Sequence, residues 1–466
     1  MSRIAIVGGG ITGLAAAWHL ATRHPGHEVI LLESTSRLGG KLDSIEVAGH
    51  TIDGGAESVL ARRPEALELL AEIEAPVVHP QRLTASIWSR GRRVSMPTGT
   101  LMGVPSDTAA LRGLLSEDEV ARAAAERPVD VHADIGIGDL VERACGSAVV
   151  DRLVEPLLGG VYAGHSRDLS ARACVPALWE AALSGRSLIE TAHRAATAGA
   201  TRAEQPVFAS IEGGLGGLPA LLADAVRRAG VTIETSSVVA EVASTGRGWR
   251  LRLTGPSSGS ATGGARPRTW LDTDAVLFTT PAAPTARLLD DIAPDAAAGL
   301  RSIEYASIAL VTFAFRSQDS ATFDGSTGFL VPPVDGRRIK AATFSSSKWP
   351  WLADAAPDLR FARTSLGRYG ETAVLQRSDG DLARIALADL QLAVGDLPVP
   401  VDSVVRRWGG GLPQYGLGHL DMVADIRSAV VGHPTLALAG AAYDGVGIPA
   451  CIASARRATD ELVTRL

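Results

Sequence analysis

The sequence predicts an α/β fold, and three observations carry that expectation. A short apolar strand, Ile4 to Val7, runs into Gly8-Gly9-Gly10-Ile11-Thr12-Gly13 and an alanine-rich helix. A second apolar strand, Val29 to Leu32, follows a turn at Pro25-Gly26 and ends on Glu33. Strand patterns of the same kind return at 231–234, 270–280 and 435–440. Together they describe a discontinuous Rossmann-like domain assembled from three separated pieces of chain.

Each part of the first unit has a reason to bind a dinucleotide. Gly8 permits the tight turn, Gly10 lets backbone approach a pyrophosphate, and Gly13 lets helix and strand pack closely. The helix N-terminus offers unpaired N–H groups and a positive dipole end to phosphates. Glu33 stands about 20 residues after Gly13, where an acid grips a ribose hydroxyl. The same pattern without these neighbours would be an ordinary Gly-rich turn in a βαβ unit. The tail Glu33-Ser34-Thr35-Ser36-Arg37-Leu38-Gly39-Gly40-Lys41 sharpens the reading. Its Arg-x-Gly-Gly pattern resembles the FAD-binding extension of flavoproteins of the amine oxidase and glutathione reductase type. Arg37 fits either that role or a solvated surface charge.

Length, at 466 residues, suggests two to three domains. A 46% hydrophobic content with 21% charge allows a sizeable core. Net charge is −6 and no basic run is dense enough for nucleic acid. Lysine occurs only at Lys41, Lys340 and Lys348, with arginine supplying every other basic residue; this reads as a compositional bias with little bearing on mechanism. The three cysteines, Cys145, Cys174 and Cys451, have no metal-ligand or CxxC spacing. They argue against a disulfide framework and a metal centre, and fit a reducing, cytoplasmic compartment. The chain begins in a strand, so no signal peptide is expected. No transmembrane helix is expected either, while peripheral membrane contact stays open.

The domain expectation is as follows. Residues 1–80, 206–282 and 435–466 form the cofactor domain, 81–98 and 283–434 a mixed-sheet substrate domain, and 99–205 a helical domain. Pro64 opens a helix over 64–73, and 83–96 read as a hairpin around Arg90-Gly91. Val154 to Gly164 (VEPLLGGVYAG) reads as an apolar, Gly-rich turn breaking the helical pattern. Gly230 ends a helix over 219–229. The Gly/Ser/Pro-rich stretch 254–268 reads as a surface hairpin tip.

Seven segments together resemble the protoporphyrinogen/coproporphyrinogen oxidase family of the amine oxidase superfamily. They are GGGITGLAAAWHL (8–20), ESTSRLGGK (33–41), IDGGAES (52–58), PLLGGVYAG (156–164), GGLGGLP (213–219), FSSSKWP (344–350) and AAYDGVGIPACI (441–452). The chain is most similar to the soluble bacterial branch that acts on coproporphyrinogen III. The resemblance implies an FAD domain, a mixed-sheet substrate domain and a helical domain that touches the bilayer in membrane-bound relatives. It implies FAD contacts from Gly8, Gly9, Gly10, Ile11, Thr12 and Gly13 at the phosphates, and from Glu33 and Ser34 at the adenosine ribose, with Arg37 and Gly40 in the adjoining turn. It further implies contacts from Lys41, Gly54, Gly55, Ala56 and Glu57 along the ribityl and isoalloxazine side, and from Val239 at adenine. Trp408, Ala441, Val446, Gly447 and Ile448 match positions near the flavin.

The implied reaction is oxygen-dependent conversion of coproporphyrinogen III to coproporphyrin III in haem biosynthesis. Six electrons and six protons leave in three two-electron steps, by hydride transfer from a meso carbon to flavin N5. Dioxygen reoxidises the flavin and hydrogen peroxide is the by-product. A transient handover to a ferrochelatase stays open. No catalytic side chain is assigned, because no His/Asp/Glu cluster stands out. A helix opening near Pro449 would turn its N-terminus toward the flavin and stabilise the reduced ring by about 0.3–1 kcal/mol. Tyr369 and Tyr415 fit either the substrate cavity or the core. Four propionates call for cations, and Arg62, Arg63, Arg90, Arg92, Arg93, Lys348 and Arg368 are candidates or solvated charges alike. Alternatives are protoporphyrinogen IX as substrate, an amine oxidase or carotenoid-desaturase-like flavoenzyme, or a flavin-free partner-binding protein of the same fold.

Overall fold

Strands buried on both faces read as unbroken apolar runs, whereas half-buried strands alternate. The first kind builds a five-stranded parallel sheet. Its order is Thr232–Glu234, Glu28–Leu32, Arg3–Val7, Ala275–Phe278, Leu436–Leu438. Alternate residues of the central strands enter two cores. Ile4, Ile6, Leu31 and Leu277 pack with Leu14, Leu20, Leu222 and Ile452 on one face. Ala5, Val7, Ile30, Val276 and Phe278 pack with Leu289, Leu300 and Trp249 on the other. The computed structural model describes residues 1–200, 206–255, 269–395 and 397–466. Most of the expected 254–268 hairpin tip, residues 256–268, lies outside the described residues.

A seven-stranded sheet forms the second layer, in the order Asp402–Pro413, Tyr305–Arg316, Leu359–Leu366, Ile339–Phe344, Gly328–Leu330, Ser86–Ser89, Arg92–Ser95. It is mixed, since Gly328–Leu330 pairs parallel with Ser86–Ser89 while the other pairs are antiparallel. The helix Asp379–Val394 covers one face through Leu382, Ala386 and Leu390. A third, helical core gathers Ile137, Leu140, Val150, Leu158 and Leu178.

Several expected elements occur as read. Pro64–Glu72 is a helix with Pro64 in its first turn. Leu218–Arg228 is a helix, and Gly230 past its end has φ +90°. Arg90 and Gly91 both take positive φ between paired strands, a turn that matches strand twist. One expectation is corrected. Residues 154–164 do not break the helical pattern: Glu155–Tyr162 is an α-helix entered through a π turn at Val150–Val154. Pro156 lies in its first turn, directly after that π turn. Leu158 and Tyr162 are buried in the helical core, so tertiary packing overrides the weak helix propensity of Gly159 and Gly160.

Candidate active site

The first helix, Ile11–Arg23, starts at Gly10 with no side-chain cap and no acid in its first turn. The last helix, Ile448–Val463, starts at Gly447 in the same state, with Pro449 in its first turn. Helix N-termini left this way are anion sites. Both open on one cavity of about 1070 Å³ between the two sheets. Of the residues implied as cofactor contacts, fifteen line it: Gly8, Gly10, Ile11, Thr12, Glu33, Ser34, Gly40, Lys41, Gly55, Ala56, Val239, Trp408, Ala441, Val446 and Ile448.

The glycine loop has the shape a ligand cradle needs. Gly8 holds φ +114°. A Cβ on Gly13 would lie 1.9 Å from the Gly8 carbonyl oxygen, so Gly13 is spent on helix–strand contact. A Cβ on Gly10 would meet nothing within 4 Å, so that space belongs to the cavity. Glu33 is braced: Oε2 accepts from the Gly9 N–H at 2.8 Å and Oε1 from the Thr35 N–H at 2.8 Å. These observations fit a dinucleotide cofactor, with phosphates at the uncapped N-termini and a fixed carboxylate beyond them.

Six implied contacts do not line the cavity, and each has a structural task. Gly9 steadies Glu33, and Gly13 closes the turn. Gly447 caps the last helix. Arg37 donates to the carbonyls of Leu38, Gly40 and Leu42 and pairs with Asp43 at 3.3 Å, which holds the turn leading to Lys41. The Gly54 carbonyl accepts from Trp408 Nε1 at 2.9 Å. Glu57 is buried between Lys348 at 2.5 Å and Arg363 at 2.9 Å. Those two cations hold its carboxyl down at about 2 despite the opposing cost of burial. The neighbouring Asp53 accepts from Leu215 and Gly216 N–H groups, yet burial raises its carboxyl to about 6. The Asp53–Glu57 loop therefore joins the Lys41–Asp43 segment, the GGLGGLP turn and the seven-stranded sheet.

Among the expected carboxylate-binding cations, Lys348 alone lines the cavity, and it is paired with Glu57. Arg63 and Arg90 pair with Glu65 and Glu119. Arg62 and Arg92 are exposed. Arg93 is half-buried over the Phe344 ring, and Arg368 is buried behind the wall. Neither expected tyrosine lines the cavity. The Tyr415 hydroxyl donates to the Ala441 carbonyl and accepts from the Gly445 N–H, both at 2.7 Å, which fixes the turn into the last helix. Tyr305 is there instead, with Arg287, Lys340 and Arg363. Burial lowers the Lys41 ammonium, which sits 6.0 Å from the Tyr305 ring centroid. Lys340 is the lysine not named from the sequence; the signal that points to it is lysine itself, because all three lysines line this one cavity.

A family model described as flavin containing amine oxidoreductase matches residues 11–463. The chain belongs to that family. Among the flavin oxidoreductases it resembles, the coproporphyrinogen III oxidase of Mycobacterium tuberculosis (strain ATCC 25618 / H37Rv) is 37% identical, covering 99% of this chain and 97% of the relative. The coproporphyrinogen III oxidase of Bacillus subtilis (strain 168) is 28% identical over 99% of this chain and 98% of its own length. A crystal structure of a candidate protoporphyrinogen oxidase from Exiguobacterium sp. 255-15 superposes with a TM-score of 0.83 at 31% identity, covering 100% and 99% of the two chains. Among the described residues, no helix of this flavin oxidoreductase is long and apolar enough to cross a membrane.

Proposed function

We propose that this flavin oxidoreductase binds FAD and oxidises coproporphyrinogen III to coproporphyrin III in haem biosynthesis. The carrying observation is 37% identity, over nearly the whole of both chains, to a relative named for that activity. The cavity supports it. It offers two uncapped helix ends and the fixed Glu33 to a dinucleotide. Its sheet wall offers apolar surface and Lys340 to a flat, carboxylate-bearing macrocycle, while Lys348 and Arg363 on the same wall are held by Glu57.

In this reading the phosphates lie on the Gly8–Gly13 loop and the adenosine ribose on Glu33, with adenine near Val239. The flavin ring lies by Lys41, Gly55, Trp408 and Val446–Ile448. The flavin supplies the two-electron acceptor, and the chain supplies binding, orientation and electrostatics. The last helix directs its positive end at the ring site, which favours negative charge there. Lys41 lies on the same wall and adds to that field. The substrate gives up six electrons and six protons, and three dioxygen molecules become three of hydrogen peroxide. The flavin domain comprises 1–80, 206–282 and 435–466, the substrate domain 81–98 and 283–434, and the helical domain 99–205. A cytoplasmic setting and handover of the product to a ferrochelatase belong to the same reading.

Purified protein is expected to be yellow. Anaerobic mixing with coproporphyrinogen III should bleach the flavin, and air should then produce porphyrin fluorescence and peroxide, faster than with protoporphyrinogen IX. A preference for protoporphyrinogen IX would reassign the substrate. A protein that takes up no FAD would end the proposal.

A further inference from the structure

Lys340 lies on the strand Ile339–Phe344, where a β-bulge interrupts the pairing with Leu359–Leu366 between Ile339 and Ala341. A bulge turns one extra side chain to the face its neighbour occupies. Here Ile339, Ala342 and Phe344 point into the core beneath the sheet. Lys340, Ala341 and Thr343 line the cavity. Without the bulge, strict alternation would set Lys340 opposite Ala341.

The residue is only 6% exposed, and no carboxylate lies within ion-pair distance of its ammonium among the described residues. Arg368, buried behind it, adds a second positive charge, and its partner Glu371 is 43% exposed on its side chain at 3.4 Å. The other charged groups around this strand are engaged elsewhere. Asp389, on the covering helix, accepts from the N–H groups of Arg338 and Ile339. Glu155, on the helix Glu155–Tyr162, bonds His165 and the Ser166 N–H. Arg363 is tied to Glu57. Glu371 acts on Lys340 through space but is ion-paired with Arg368 instead. A buried cation without a direct ion-pair partner is costly, so this arrangement favours an anion arriving in the cavity.

We propose that Lys340, backed by Arg368, is the subsite that anchors one carboxylate of the porphyrinogen substrate. The proposal rests on the porphyrinogen reading above. It also gives a reason for lysine in a chain that otherwise uses arginine. A guanidinium cannot shed its proton, whereas a buried ammonium can. Burial, reinforced by Arg368 and only partly offset by Glu371, pushes Lys340 down to about 7. The empty subsite can therefore go neutral and recharge when a carboxylate enters.

The test uses flavin-loaded protein and two stable probes, coproporphyrin III and its tetramethyl ester in dilute detergent, with Kd read from fluorescence quenching. Wild-type affinity for the tetra-acid should fall above pH 7, by up to about tenfold per pH unit. Lys340→Met should bind the tetra-acid roughly ten- to hundredfold more weakly at pH 7 and lose that pH dependence. It should bind the ester like wild type and raise KM for coproporphyrinogen III more than it lowers kcat. Lys340→Arg should keep affinity for the tetra-acid above pH 7. Retained 450 nm flavin absorbance in each variant establishes that it is folded. Wild-type affinity for the tetra-acid in Lys340→Met would overturn the subsite, as would equal losses for acid and ester. Inactivity of the wild type toward coproporphyrinogen III would instead overturn the porphyrinogen reading, and the subsite with it.

Discussion

Gly10 and Gly13 stand three residues apart in one motif, yet they fail differently when substituted. Gly10 has φ −73° and open space where a Cβ would go. Gly10→Val should therefore fold and lose the flavin, seen as a drop in the ratio of 450 to 280 nm absorbance with an unchanged far-ultraviolet spectrum. Retained flavin would contradict the phosphate-loop assignment. Gly13→Ala instead forces backbone apart, and its loss should register in stability. Glu57 makes the same point for charge. Its removal leaves Lys348 and Arg363 buried without their shared anion, so Glu57→Gln should cost about 3–5 kcal/mol in denaturant unfolding. The pH dependence follows from its lowered carboxyl. The folded pKa of about 2 lies below the unfolded value of 4.5, so its contribution is full above pH 4.5 and fades as pH falls toward 2. Glu57→Gln should lack that part of the acid transition. The sequence marked Glu57 through the IDGGAES segment but not its role, because the two cations come from residues 348 and 363.

At the scale of elements, the last helix is useful only if the turn before it is fixed. Tyr415 fixes it, from the segment after Asp402–Pro413, by bonding Ala441 and Gly445 across the entry to Ile448–Val463. Its ring stacks on His419 with centroids 3.8 Å apart. Tyr415→Phe keeps the stack and removes both bonds, leaving a partly buried N–H and carbonyl unmet. A loss of about 1–3 kcal/mol is expected, with faster amide exchange at Gly445 and weaker flavin retention. Unchanged exchange at Gly445 would show that the turn holds itself. The helix Glu155–Tyr162 teaches the converse lesson. Its Pro and two Gly read as a breaker, since local propensity is all a single segment displays. Burial of Leu158 and Tyr162 in the helical core supplied what propensity lacked.

The whole molecule closes its cavity with surfaces from both sheets, the helical core and the last helix. Filling that cavity ties the parts together, so flavin removal should lower Tm. Adding flavin back at a hundred times its Kd should restore about 2.7 kcal/mol, and an unchanged Tm would place the ligand elsewhere. The parallel sheet, the glycine loop and the family resemblance were legible in the sequence. They rest on local periodicity, short-range spacing and contiguous motifs, which a single chain displays directly. Lys41 and Lys348 were named from the sequence and line the cavity, whereas Lys340, Arg287 and Arg363 were not named, and what each cation is paired with was not legible. Lys340 depends on a bulge in one strand's pairing with another, and Lys348 depends on Glu57 from nearly three hundred residues earlier. Arginine and lysine candidates read alike along the chain, because whether a charge is solvated, paired or aimed into a cavity is set by neighbours distant in sequence. The sequence by itself determined which cofactor class the chain is built for. Only the tertiary structure decided which charges are left free to meet a ligand, because an ion's cost and use depend on what surrounds it in space.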